Sequence, residues 1–258
     1  MNAVSALQGL RVVVTRPAAQ AEPLCRLLEQ RGAAVRRLPL QVIEPVRNAA
    51  QAARQLAEHR DAQAWIFTSV NAVKFASTLD PGGVWPDCIA VGAATAAALQ
   101  ARGEHVALPL SAHTSEGLLE LEVLRDVADR KLLIVSGEGG RELLRETLQA
   151  RGACVTKLPV YRRVSLPHPS EAVAVALRGA QAAIITSGES LQRLHDLIAP
   201  EPAAHRALQL VVPSQRVVEQ AEALGFERPA LLPESIADAA YVQCLEHWWA
   251  EVAPRDPA

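Results

Sequence analysis

At 258 residues, half of them hydrophobic, the chain is long enough to bury one large core or two small ones. Its formal net charge of −2 excludes a global basic field for nucleic acid or an anionic membrane surface, so any anion binding has to be local. Four scattered cysteines, Cys25, Cys88, Cys154 and Cys244, form no CxxC pair, which argues against a zinc knuckle or a disulfide framework and for reduced cytosolic thiols.

From the N-terminus, MNAVSALQGLRVVV has no basic segment ahead of a long apolar run. No stretch reaches the roughly 18 apolar residues a bilayer span requires. We read the chain as soluble and cytoplasmic, with neither membrane nor nucleic acid as a partner. Strands are predicted at RVVVTR (11–16), AWIFTS (64–69), CIAVGA (88–93), KLLIVS (131–136), AAIITS (182–187) and QLVVPS (209–214). Each run is nearly continuous in apolar residues instead of alternating, as in parallel sheets covered on both faces by helices. Ala/Leu/Gln/Arg stretches between them supply those helices. Thr15, Thr68, Ser69, Ser136, Thr186 and Ser187 close several strands, where small hydroxyls cap the helix that follows. The segments at 37–46 and 157–167 carry prolines, which remove ladder donors, so they are expected as connectors or edge strands.

The chain also repeats itself. RVVVTRPAAQAEPLCRLLEQRGAAVRRLPL aligns without a gap on KLLIVSGEGGRELLRETLQARGACVTKLPV at a shift of 120 residues. Gly32 falls on Gly152 and Pro39 on Pro159, and both glycines suit the left-handed position that closes a helix. Ile66-Phe67-Thr68-Ser69 matches Ile184-Ile185-Thr186-Ser187 at a shift of 118. Two related α/β halves are therefore expected, facing each other across a cleft that holds the chemistry.

Nucleotide motifs fail: SGEGGRELL (136–144) puts Glu142 where GxGxxG needs its third glycine, and no GxxxxGK[ST] occurs. Gly137, Gly139 and Gly140 read better as helix caps. The seven histidines show no HExxH and no ligand spacing, so no metal is expected, and no GxSxG elbow marks a serine nucleophile. What remains are strand-to-helix turns: Thr15-Arg16-Pro17, Thr68-Ser69-Val70-Asn71, Gly92 to Thr95, Ser136-Gly137 to Arg141, Thr186-Ser187-Gly188-Glu189-Ser190 and Pro213-Ser214-Gln215-Arg216. Any one of them can be a cap. All lie at the carboxyl edge of a parallel sheet, where free N–H groups and helix dipoles attract anions. Tyr161 differs, because its counterpart in the first copy is Gln41. Its ring could pack in the connector, or its phenol, neutral at pH 7, could give a proton to a leaving oxygen. Trp248-Trp249 read as packing for a last helix.

The pattern from Arg11 to Trp248 resembles the uroporphyrinogen-III synthase family. The resemblance rests on VTRP (14–17), FTSVNAV (67–73), AVGAATAAALQARG (90–103), SEGLL (115–119), VSGEGGRELL (135–144), LPVYRR (158–163), ITSGES (185–190) and VPSQRV (212–217). It implies two flavodoxin-like α/β domains, each a parallel sheet with helices on both faces, joined by a two-stranded linker. The first would combine 1–37 with 168–258, the second would span 45–157, and 38–44 with 158–167 would cross between them. The resemblance further implies a cofactor-free lyase of the cyclising kind, with hydroxymethylbilane as its substrate.

That linear tetrapyrrole would lose its terminal hydroxyl to give an azafulvene, be attacked through the substituted carbon of ring D to form a spiro intermediate, and close to uroporphyrinogen III. Unassisted closure in water would give the type I isomer, so orientation of the chain would be the enzyme's main task. By the resemblance Tyr161 assists hydroxyl departure. Substrate carboxylates would be held by Thr15, Arg16, Pro17, Thr68, Ser69, Asn71, Gly92, Ser136, Gly137, Arg141, Arg162, Thr186, Ser187, Ser190 and Ser214. Val212-Pro213-Ser214-Gln215 departs from the Gly-Pro-x-Thr turn of many relatives. A monomer is expected, in transient contact with hydroxymethylbilane synthase. Two rival readings are a non-enzymatic two-lobed binder of a polyanionic small molecule and a flavodoxin-like regulatory module; Thr15-Arg16-Pro17 stands where the latter would carry an acidic cluster.

Overall fold

The computed structural model describes residues 5–109, 115–140, 142–199 and 208–253. In chain order come β1 (Arg11–Val14), α1 (Ala18–Gln30), β2 (Ala34–Arg37) and β3 (Gln41–Pro45). They are followed by α2 (Ala49–Glu58), β4 (Ala64–Phe67), α3 (Val70–Leu79), β5 (Cys88–Ala90), α4 (Ala93–Gln100) and β6 (Val106–Ala107). Next are α5 (Ser115–Leu119), β7 (Lys131–Gly137), α6 (Leu143–Ala150) and β8 (Cys154–Ser165). The last described elements are α7 (Ser170–Leu177), β9 (Ala182–Ile184), α8 (Gly188–Ile198), β10 (Gln209–Val211), α9 (Gln215–Ala223) and α10 (Asp238–Val252). The chain divides into one unit of Met1–Val42 with Val164–Ala258 and a second of Ile43–Arg163.

In the first unit the strand order is β10-β9-β1-β2, with all three pairings parallel. A parallel bridge from Val211 to Leu231 supplies a rudimentary fifth position. This is the flavodoxin order 2-1-3-4-5. The three valines of β1 show why its run is continuous: Val12 and Val14 join the core beneath α1 and α10, while Val13 joins the core beneath α8 and α9. Trp248 and Trp249 are buried in the former, as packing of the last helix requires.

The second unit's sheet runs β3-β8-β7-β4-β5-β6. Its β4, β5 and β6 correspond to β9, β10 and the Leu231 bridge, so the same order is reached with the chain cut between its second and third strands. The duplication holds to the register: Arg11 pairs with Ala34 and Lys131 with Cys154, the same two positions 120 residues on. Gly32 and Gly152 close their helices at φ 88° and 89°, a left-handed conformation that glycine adopts without strain.

Several expectations need correction. Five of the six strands are shorter than their apolar runs, because the Thr-Ser, Gly-Ala and Pro-Ser ends turn away as helix entries, whereas β7 runs one residue past its own. Pro159 lies inside β8, a strand flanked by β3 and β7 and not a mere connector or edge. The sheet tolerates it through a register shift: Ser136 pairs with Pro159 and Gly137 with Tyr161, so Val160 is bulged out and the missing donor falls at the irregularity. Capping is also selective. Ser69 and Ser187 cap α3 and α8, whereas Thr15 and Thr68 donate to neighbouring strands at Ile184 O and Val135 O. Gly139 and Gly140, at φ 72° and 84°, form a turn ahead of α6, whose N-cap is Glu142.

Candidate active site

The carboxyl ends of β4, β7 and β8 in the second unit converge on an open cavity of about 170 Å³. Thr68 ties the end of β4 to β7, its Oγ1 donating to Val135 O at 3.4 Å. The extended backbone of Ser69 then turns into α3, and its Oγ accepts the Ala72 N–H at 3.1 Å. The register shift delivers Tyr161 to the place opposite Gly137. There the phenol ring is 2 % exposed and stacks on Phe75, centroids 5.8 Å apart. Gly137 makes this possible: a Cβ there would lie 2.6 Å from Tyr161 Cζ. Tyr161 Oη is 3.1 Å from Ser69 Oγ and accepts from Arg163 Nη2 at 3.2 Å.

Arg145, Lys157 and Arg163 also line the cavity. Lys157 Nζ donates to Gly139 O at 3.0 Å and pairs with Glu142, which Arg145 meets at 2.7 Å. The hydrogen bond from Lys157 holds the Glu142 carboxyl below its usual range. Three cations against one carboxylate make the locally positive patch that the chain as a whole lacks. Among the described residues no group of three or more His, Cys, Asp or Glu is placed to hold a metal ion, and no helix is long and apolar enough to cross a membrane.

Of the residues proposed from sequence, Thr68, Ser69, Ser136, Gly137 and Tyr161 line this one cavity. Ser136 is buried, with its Oγ 3.2 Å from Gly137 O. Asn71 sits half-buried in the first turn of α3, and Gly92 is the N-cap of α4. Arg162 points elsewhere, pairing through Nη2 with Glu44 at 2.6 Å. Arg141 lies outside the described residues.

The first unit assembles its own set. Thr15 is buried and donates to Ile184 O at 2.8 Å. Arg16 pairs with Asp238 at 2.6 Å and lies 6.0 Å from the Tyr241 ring centroid. Burial pushes the Tyr241 phenol up to about 12, with Arg16 opposing it. Pro17 is the N-cap of α1 and Ser214 that of α9, neither giving a side-chain cap. Thr186 is half-buried beside Ser187, whose Oγ accepts the Ser190 N–H at 3.1 Å and lies 2.9 Å from Ser190 Oγ. Ser190 Oγ in turn donates to Gln41 Oε1 at 3.4 Å, while Gln41 Nε2 is buried with no partner among the described residues. Gln41 thus stands at its own serine-capped turn as Tyr161 stands at Ser69, with an amide in place of a phenol.

Reading the sequence missed Arg163, Arg145, Lys157 and Gln41. Strand alternation was the available signal for Arg163, since residues two apart share a face and Arg162 therefore could not accompany Tyr161. Arg145 and Lys157 meet through Glu142, across a separation in sequence that no spacing rule anticipates.

A model of the family described as uroporphyrinogen-III synthase HemD matches residues 22–239. The uroporphyrinogen-III synthase of Escherichia coli (strain K12) is 34% identical over 228 residues, covering 84% of this chain and 93% of its own. That of Salmonella typhimurium is 35% identical with the same coverage. Among solved structures, a mutant uroporphyrinogen III synthase from the extremely thermophilic bacterium Thermus thermophilus superposes with a TM-score of 0.64 at 18% identity, covering 94% of this chain and all of its own. The enzyme from Helicobacter pylori 26695 gives 0.58 at 15% identity over 94% and 99%. These two similarities speak for the fold alone.

Proposed function

The chain belongs to the uroporphyrinogen-III synthase family, and from that premise we propose that it cyclises hydroxymethylbilane to uroporphyrinogen III, using the Tyr161 cavity for departure of the terminal hydroxyl. The reaction expels one water and inverts ring D through a spiro intermediate. Tyr161 Oη gives its proton to the leaving hydroxyl as the C–O bond breaks, and the pyrrole nitrogen's electrons fill the resulting cation. Ring D attacks through its substituted carbon, the spiro ring reopens, and closure follows. The proton shed from the newly joined carbon as the ring D pyrrole regains aromaticity returns to the tyrosinate, so the enzyme ends as it began.

Binding serves orientation. Acetate and propionate groups on every ring suit Arg145, Lys157 and the exposed N–H groups at the N-terminus of α3. Holding the chain so that ring D meets the cation through its substituted carbon replaces a random encounter by a unimolecular one. The observation that carries the assignment to this cavity is Tyr161 Oη, set between Ser69 Oγ and Arg163 in a cation-lined hollow.

The test supplies freshly made hydroxymethylbilane, oxidises the products and separates the uroporphyrin isomers by chromatography. Type III in excess over the enzyme-free blank is expected. Type I alone, at the level of the blank, overturns the assignment.

A further inference from the structure

We infer that Arg163 is a positioning residue for Tyr161: it supplies one of two donors to the phenol oxygen, which leaves the phenol proton free for the substrate and then stabilises the tyrosinate. Arg163 lies two residues beyond Tyr161 on β8, on the same side of the strand. Its Nη2 is 3.2 Å from Tyr161 Oη, and its Cζ is 5.5 Å from the ring centroid. A guanidinium only donates, so the phenol oxygen is the acceptor in that bond. Ser69 Oγ, 3.1 Å away on the other side, already accepts the Ala72 N–H. Its own O–H is therefore available to donate to Tyr161. In the arrangement we infer, both neighbours donate to the phenol oxygen, which leaves the phenol hydrogen for the cavity.

After transfer the tyrosinate keeps both bonds, and the one from Arg163 becomes charge-assisted and shorter. Arg163 is suited to this because its charge is not already spent. Arg162 is paired with Glu44, and Arg145 and Lys157 share Glu142, whereas no carboxylate among the described residues pairs with Arg163. The duplication supplies an internal comparison. Positions 120 residues earlier hold Gln41 and Ile43 in place of Tyr161 and Arg163, although Ser187 repeats the capping role of Ser69. The donor pair around a phenol thus exists in one copy only.

The inference rests on Tyr161 being the proton donor, and a double-mutant cycle separates the two claims. Turnover to type III product is measured for the parent chain, Arg163→Gln, Tyr161→Phe and the double variant, with Arg163→Lys as a conservative control. Loss of a hydrogen bond to a developing charge is expected to lower kcat about 10-fold or more in Arg163→Gln, with KM changing less than about 3-fold. In the Tyr161→Phe background the same substitution should cost less than about 2-fold, and Arg163→Lys should recover part of the loss. The same fold-loss in both backgrounds overturns the inference, as does a rise in KM alone, because Arg163 would then act on substrate carboxylates. Parental kcat in Tyr161→Phe removes the proton-donor reading and this inference together. Failure of the parent chain to make type III removes the function itself, a distinct outcome.

Discussion

Gly137→Ala is the most informative single change, since it adds one methyl group at the point where the backbone touches the phenol ring. The new Cβ would lie 2.6 Å from Tyr161 Cζ and 2.7 Å from Cε2, against the roughly 3.5–4.0 Å at which carbon atoms rest. The ring must retreat by about 1 Å. It is held from behind by Phe75, and Gly137 is locked in the β7–β8 ladder, so neither side yields freely. Overpacking of this kind costs about 1–3 kcal/mol. Displacement by about 1 Å carries Oη away from Ser69 and Arg163, and a misplacement of that size costs about 10²-fold in rate. The assay is kcat for type III formation beside thermal unfolding of parent and variant. In a Tyr161→Ala background, where the ring is gone, adding Gly137→Ala should cost little further stability. Turnover within about 2-fold of the parent and an unmoved Tm would refute the close packing of Gly137 on Tyr161 and the placement of the phenol that depends on it.

The two serine caps offer a matched pair. Ser69→Ala and Ser187→Ala each remove one cap bond, and each should cost about 1 kcal/mol, or about 2–4 °C in Tm. Only Ser69 also touches the phenol, so kcat should fall at least several-fold further in Ser69→Ala; equal losses would count against a role for that contact. Thiol labelling of the native protein should modify the exposed Cys154 first, while Cys88, its thiol pushed up to about 12 by burial, should react only on unfolding. Glu142 titrates below its ordinary 4.5 because of Lys157. A depressed folded value means that its contribution is present above 4.5 and fades as pH falls through the folded value. Acid unfolding curves should therefore separate Glu142→Gln from the parent above that range and converge at lower pH; curves that stay parallel throughout would show that the pairing contributes nothing.

Much of the architecture was legible in the residues because its signals are local. Continuous valine and isoleucine runs announced parallel strands covered on both faces, and Gly32 and Gly152 marked helix ends that the left-handed backbone requires. The repeat was visible at a fixed shift and reappears as an identical strand register. Hidden from the sequence was the slip at Ser136-Gly137 that bulges out Val160, since a bulge is set by the fit of two strands distant in sequence. That slip allows Pro159 inside a flanked strand and turns Tyr161 onto Gly137. The hydroxyls were recognised as functional types, but their partners were not. Thr68 and Ser69 are adjacent hydroxyls at one strand end, yet one bonds a strand carbonyl and the other a helix N–H and a phenol. Arg162 and Arg163 are separated by parity alone: with alternating side chains, the residue adjacent to Tyr161 has to face away from it.

A phenol in one unit speeds departure of the hydroxyl in this proposal, while orientation of the bound chain decides which isomer forms. Steady-state turnover of Tyr161→Phe with hydroxymethylbilane, read together with the isomer ratio, tests both parts at once. A fall in kcat of about 10²-fold, the low end of the range for general-acid catalysis, with type III still in excess over the blank, is the predicted result. Turnover at the parental rate, or slowed turnover that yields type I alone, would contradict it.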